Sequence, residues 1–224
     1  MCYYVDRSSS MEDIETRYGV KYYQPQYYDN KPPMPSKFIH GFEHPGMLII
    51  TNKRPDLVTV AEWGLVPHWA KDPEAFREKA NTLNAMIETI DDKPSFRDAV
   101  NNRCLVVVDS FYEYKWLDPK GKEKEPYKIQ LEGGMMFSLA GIFSRFTDPT
   151  TGQPVGSVSL VTTKANPLME IIHNSKKRMP LVLRHEEEQS WLSGDPMKKF
   201  ENRNEISLLA EPTQNYLRTL KQAS

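Results

Sequence analysis

Cys2 stands directly behind Met1. Aminopeptidases remove an initiator methionine when the next side chain is small, and cysteine qualifies, so processing leaves an α-amine and a thiol on one residue. With ordinary pKa values of about 7.7–8.0 for the amine and about 8.5 for the thiol, each is partly unprotonated near neutral pH. An aldehyde condenses with such an amine to a Schiff base, and the thiol closes it to a five-membered thiazolidine. Closure is intramolecular, so the effective concentration is high. Position alone makes Cys2 only a small second residue, because reactivity depends on exposure and pKa. Cys104 offers no Cys-x-x-Cys pairing, and neither cysteine has metal-like spacing to histidine, so no disulfide framework, zinc site or cofactor is expected.

Further along lie five segments with polar groups set among aromatic and apolar residues. They are Trp63-Gly64-Leu65-Val66-Pro67-His68-Trp69, Asn84-Ala85-Met86-Ile87-Glu88-Thr89, Arg103-Cys104-Leu105, Ser110-Phe111-Tyr112-Glu113-Tyr114, and His173 with Arg178-Met179-Pro180-Leu181-Val182-Leu183. In this order behind Met-Cys they resemble the SRAP (SOS response-associated peptidase-like) family, from Cys2 to about Trp191. The resemblance implies that Cys2 forms a thiazolidine crosslink with the open-chain aldehyde of an abasic site in single-stranded DNA, shielding the lesion. It also implies a site made of Cys2, Asn84, Glu113 and His173.

Those residue types suit the chemistry. Loss of water from a carbinolamine needs a proton donor, and Glu113 can shuttle that proton. His173 can act as acid or base, protonating the ring oxygen of the closed sugar to favour the aldehyde. The Asn84 amide both donates and accepts, so it can orient the amine or a substrate oxygen. Taken singly, Glu113 reads as a residue on the solvated face of a strand, Asn84 as a cap or loop residue, and His173 as a cation at a helix end. Trp69 is the stacking candidate for single-stranded DNA, with Thr162 and Arg178 as backbone contacts. Lys176-Lys177-Arg178 is either a local positive patch or a solvated basic turn.

Several positions depart from the family pattern. Tyr3 and Tyr4 stand where Gly-Arg is common, and Met86 stands where an arginine is expected. Phe38 to Pro45 contains no Asn-x-x-Pro, and Asn174-Ser175-Lys176-Lys177 lengthens the spacing between His173 and Arg178. Two other functions are open to these residues: a thiol peptidase or hydrolase that matures by cutting its own leader, and a non-covalent binder of modified DNA bases. An imine at the sugar also eases β-elimination, so strand scission by a lyase reaction can accompany crosslinking.

The 224 residues suffice for a single domain, 1–224, and 39% hydrophobic residues with 11% aromatics fit a globular chain. With 29 Lys plus Arg against 30 Asp plus Glu, any nucleic-acid site must be a local patch. The N-terminus lacks the roughly 7–15-residue apolar segment of a secretory signal, and no apolar run is long enough to span a bilayer. A cytoplasmic monomer without membrane contact is expected.

Turn signals and periodicity supply the elements. Ser10, Asp13 and Gly19 bound a helix over Met11–Tyr18, and Tyr22 to Pro35, rich in tyrosine and proline, reads as an ordered loop. Met47–Thr51 and Leu57–Trp63 form a hairpin around Lys53-Arg54-Pro55-Asp56. Arg103–Trp116, Pro126–Leu131, Met135–Phe146 and Val155–Thr163 read as a meander of consecutive antiparallel strands. Helical spacing marks Pro73–Lys79, Ser95–Asn101, Pro167–Ile172, His185–Leu192 and Thr213–Lys221. The predicted class is α+β: a strand-rich, antiparallel, barrel-like central sheet with peripheral helices.

Overall fold

The computed structural model describes residues 1–26, 33 and 35–213. Its strands are β1 (Tyr4–Arg7), β2 (Lys21–Tyr22), β3 (Ser36–His40), β4 (Gly46–Thr51), β5 (Arg54–Trp63), β6 (Asn84–Met86), β7 (Arg103–Val108), β8 (Ser110–Trp116), β9 (Lys124–Leu131), β10 (Phe137–Thr147), β11 (Pro154–Lys164), β12 (Arg178–Pro180), β13 (Val182–Leu183) and β14 (Leu208–Pro212). The helices are α1 (Met11–Tyr18), α2 (Pro73–Lys79), α3 (Pro167–Ile172) and α4 (His185–Leu192). The class is the expected α+β.

Five strands close a ring. β4 pairs antiparallel with β5 and β7, β7 with β10, and β10 with β11. Parallel pairing of Ser157 with Glu62 and Val158 with Trp63 joins β11 back to β5. Closure removes the free edges that a sheet of apolar strands would otherwise expose. A second sheet, in the order β14-β9-β8-β1-β3, packs beside it.

Period-two alternation sorts the side chains between two cores. Met47, Ile49, Ala61, Trp63, Val106, Leu139 and Leu160 from one face of the ring pack in one cluster with Cys2, Val5, Phe111 and Ile129 of the second sheet. The opposite face, including Leu48, Ile50, Val60, Leu105 and Ile142, packs with Ile14 of α1 and Trp191 of α4. The two sheets therefore share an interior, and Cys2 lies in it.

α1 begins and ends where Ser10 and Gly19 mark it. The Ser10 hydroxyl accepts from Asp13 N, the Asp13 carboxylate accepts from Ser10 N, and Gly19 takes a left-handed φ of 65°. α2, α3 and α4 also match their expected bounds.

Other expectations are corrected. Arg54 to Asp56 belong to β5, so the hairpin turns on Asn52-Lys53. Ser95–Asn101 contains only a 3₁₀ turn at Arg97–Ala99. The meander is interrupted because Arg103–Trp116 divides at Asp109 between the two sheets, β7 joining the ring and β8 the second sheet. The Asp109 carboxylate accepts from the backbone N–H of Ser8 and Ser9, and this tie anchors the segment after β1 at the division. β9 and β10 likewise lie in different sheets. Thr213–Lys221 and part of Tyr22–Pro35 lie outside the described residues.

Candidate active site

β1 lies against β8 with Tyr4 opposite Tyr112, so the chain start runs toward Glu113. Alternation along β8 turns Phe111 into the apolar core, while Ser110 and Tyr112 donate from the other face to the buried Asp6 carboxylate at 3.0 and 2.7 Å. Glu113 shares the Phe111 parity and is 4% exposed. The solvated strand face that Glu113 suggests when taken singly is not where it lies: the second sheet packs that face against the ring.

β11 carries the other half of the site at its C-terminal end. Parallel pairing with β6 sets Asn84 opposite Leu160, and antiparallel pairing with β12 sets Arg178 opposite Lys164. α3, begun by the Asn166 cap and Pro167, follows β11 and ends at His173. Cys2, Asn84, Glu113 and His173 thereby converge from four elements that are distant in sequence.

The Met1 ammonium occupies the centre. It lies 3.2 Å from Glu113 Oε1 and 3.1 Å from His173 Nε2, and Nε2 is 3.9 Å from Glu113 Oε2. Asn84 Nδ2 donates to the Cys2 carbonyl at 2.8 Å, while Asn84 Oδ1 is buried with no hydrogen-bond partner among the described residues. Cys2 is wholly buried, and its sulfur lies 3.5 Å from the Tyr4 carbonyl.

Burial decides the protonation states. It pushes the Cys2 thiol well above its ordinary value, and the neighbouring Glu113 carboxylate adds to this. It raises Glu113 to about 7, against the opposing pull of the terminal ammonium. His173 falls to about 4, chiefly through burial and then through the ammonium. His173 Nδ1 lies 2.7 Å from the Arg178 carbonyl, which can only accept. The imidazole proton therefore sits on Nδ1, and Nε2 faces the amine with its lone pair; this outweighs the longer 3.3 Å approach of Arg178 N to Nδ1.

The residues expected at the DNA surface are placed differently from one another. Trp69 is 47% exposed and stands edge-on to Phe76 at 5.7 Å. Thr162 is fully buried, its hydroxyl 3.4 Å from the Ala85 carbonyl, so its side chain faces protein rather than solvent. Arg178 donates to Thr162 O at 2.8 Å and to Thr162 Oγ1 at 3.2 Å, and forms a two-pronged pair with Glu88 at 2.8 and 2.9 Å. Thr162 and Glu88 thus hold the residue whose carbonyl sets the His173 tautomer.

Sequence reasoning left out Glu88, Phe42 and Asn174. Glu88 lies in the Asn84–Thr89 segment, where a carboxylate two residues beyond Met86 was a signal. Phe42 is exposed and lies tilted against Tyr3 at 4.9 Å, and Tyr4 stacks on His40 at 4.5 Å. Aromatic contacts thus occupy the two positions that depart from Gly-Arg. Among the described residues no cluster of three or more His, Cys, Asp or Glu could hold a metal ion, and no helix is long and apolar enough to cross a membrane.

The chain has relatives among known proteins. A family model described as SOS response associated peptidase (SRAP) matches residues 1–221. The Bacillus subtilis (strain 168) protein named abasic site processing protein YoqW is 35% identical over 196 residues, covering 86% of this chain and 80% of its own. Abasic site processing protein HMCES of Xenopus tropicalis is 25% identical over 190 residues, covering 76% of this chain and 54% of its own. A crystal structure of a Bacteroides thetaiotaomicron protein superposes with a TM-score of 0.84 at 31% identity, over 97% of this chain and 94% of that one.

Proposed function

The chain belongs to the SRAP family, and from that premise we propose that it processes abasic sites in single-stranded DNA by covalent capture through Cys2 once Met1 has been removed. The relatives named for abasic-site processing support the substrate class. One observation carries the chemistry: the Met1 amine, one residue ahead of Cys2, lies between Glu113 and His173 while Asn84 holds the Cys2 carbonyl.

In this reading the Cys2 amine attacks C1 of the open sugar to give a carbinolamine. Glu113 delivers a proton to the departing hydroxyl, releasing water and leaving an iminium ion. The sulfur then bonds to the same carbon, the C=N π pair returns to nitrogen, and the thiol proton passes to the Glu113 carboxylate, restoring the acid. Aldehyde plus aminothiol thus becomes thiazolidine plus one water. Glu113 near 7 suits proton delivery at neutral pH, whereas His173 near 4 is neutral there and suits acceptance at Nε2. Burial is the largest cause of both shifts. Asn84 Oδ1, buried without a partner among the described residues, is available to the new amine. Trp69 supplies a stacking surface and Lys176-Lys177 positive charge, while Arg178, held by Thr162 and paired with Glu88, meets the DNA backbone by exchanging that carboxylate for a phosphate.

The thiol-hydrolase reading fits less well, since attack on a neutral amide carbonyl needs a standing thiolate and burial drives this thiol the other way, whereas an iminium carbon is electrophilic enough to be closed by a thiol that sheds its proton as the bond forms. The test is a single-stranded oligonucleotide carrying one abasic site, run on a denaturing gel after incubation. A heat-stable shifted band from the wild type and none from Cys2→Ala supports the proposal. No band together with peptide hydrolysis rejects it.

A further inference from the structure

β1 starts at Tyr4, opposite Tyr112, so among the described residues β8 beyond that point has no paired strand on its β1 side. On its other side the pairing with β9 continues from Phe111–Ile129 through Glu113–Tyr127 to Trp116–Lys124. Leu117 N donates to Glu123 O at 2.9 Å, which makes Leu117 and Glu123 a hydrogen-bonded pair. In an antiparallel ladder the adjacent residue then turns its N–H and C=O to the opposite edge. The Trp116 peptide groups therefore face the edge that β1 leaves open.

Asn174 fills that edge. Its Nδ2 donates to the Trp116 carbonyl at 2.9 Å and its Oδ1 accepts from Trp116 N at 3.0 Å. One primary amide thus completes both bonds that a neighbouring strand residue would make. Asn174 belongs to the four residues that lengthen the spacing between His173 and Arg178. Around it Lys177 N donates to the His173 carbonyl at 2.8 Å, Lys177 takes a left-handed φ of 49°, and His173 Nδ1 donates to the Arg178 carbonyl. The inserted residues form a closed turn. Without Asn174, the turn's hydrogen bonds run to itself and to Ala165 after β11 rather than to β8.

We infer that Asn174 is a positioning residue: by pairing with Trp116 on the strand that carries Glu113, it fixes the His173 imidazole against the Glu113 carboxylate. The inference rests on the function proposed above for the consequence in rate, but not for the geometry. Reactions that rely on a placed acid and base lose rate when either is displaced, and the whole contribution of such a group is about 10²–10⁴-fold.

The test compares wild type with Asn174→Ala, which removes both bonds, and Asn174→Asp, which keeps the shape and the acceptor but loses the donor. Crosslinking to an abasic single-stranded oligonucleotide is timed across pH, and the imidazole nitrogens are followed by ¹⁵N NMR, with His173→Gln to assign the resonance. In Asn174→Ala the crosslinking rate falls about tenfold, part of the range for a positioned acid–base group. The His173 transition moves up from about 4 toward its ordinary 6.5 as the ring gains solvent, and Asn174→Asp falls between. Binding of the same oligonucleotide, read by fluorescence anisotropy, stays unchanged. Wild-type rates and a wild-type imidazole titration in both variants overturn the inference; should Asn174→Ala fail to fold, Asn174→Asp decides alone. If the wild type forms no adduct, the proposed function fails, while the imidazole titration still decides the role of Asn174.

Discussion

Met1 and Glu113 form an ion pair 3.2 Å long, in which the Met1 ammonium fills the place that the proposed chemistry assigns to the Cys2 amine. Retained Met1 should therefore block the site as well as withhold the aminothiol. Protein fractionated by intact mass is expected to crosslink only as the Met1-free species. Cys2→Ala still permits Met1 removal and keeps a terminal amine, so it should give an imine that borohydride traps and no heat-stable band. A heat-stable band from Cys2→Ala would refute thiazolidine formation.

Replacing Glu113 by Gln removes the proton donor and leaves the shape. Crosslinking at pH 7 should slow by about 10²-fold, at the low end for a lost general acid. Single-turnover gel kinetics measure it, with binding of the same oligonucleotide held as the control.

The two shifted groups oppose each other in stability. Glu113 is raised from 4.5 to about 7, so its contribution is present below about 4.5 and is lost as pH rises toward 7. His173 is lowered from 6.5 to about 4, so its contribution is present above 6.5 and is lost as pH falls toward 4. Between about 4.5 and 6.5 the slopes largely cancel in the wild type. Urea titrations should show Glu113→Gln losing stability on acidification through that window, and His173→Gln losing it on alkalinisation.

Trp69 and Phe42 are exposed aromatic rings backed by Phe76 and Tyr3. If they stack on bases, each alanine variant should weaken binding of a single-stranded oligonucleotide by about 1–3 kcal/mol. The thiazolidine formed with a small free aldehyde, read by mass, should be unaffected. Equal loss with both substrates would mean the rings support the fold rather than bind DNA.

Gly141 lies on β10 where a Cβ would come within 2.8 Å of Cys104 Sγ and 2.9 Å of a Val106 methyl. Gly141→Ala should overpack the ring and destabilise it by about 1–3 kcal/mol. Chemical denaturation measures this, and a neutral result would show that β7 and β10 can part at that point.

Local signals were legible wherever a residue acts on its own neighbours. Ser10 with Asp13, Gly19, and the prolines opening α2 and α3 act within a turn or two, and those helices fall where they were expected. Asp109 was not legible as a divide, because the runs on both sides of it are apolar and its partners Ser8 and Ser9 lie about a hundred residues away. The polar groups of the site follow the same logic. Glu113 has the alternation of a strand residue, and only the packing of the ring against β8 makes its face an interior one. Thr162 reads as a hydroxyl free for DNA until β6 and Arg178 cover it. The Asn174 clamp requires that β1 stop at Tyr4, which is a property of the sheet.

The site joins the first residue to partners that emerge much later in synthesis. Met1 touches Glu113, and it touches His173 across 172 positions of chain. The β5–β11 pairing that closes the ring spans 95 positions, from Glu62 to Ser157. While a ribosome is still making β8, the N-terminus has neither partner and is open to an aminopeptidase. Once α3 has docked, the same amine is held between two buried side chains. On the proposed chemistry, maturation is thus a race between trimming and folding, and the order of the segments gives trimming the head start.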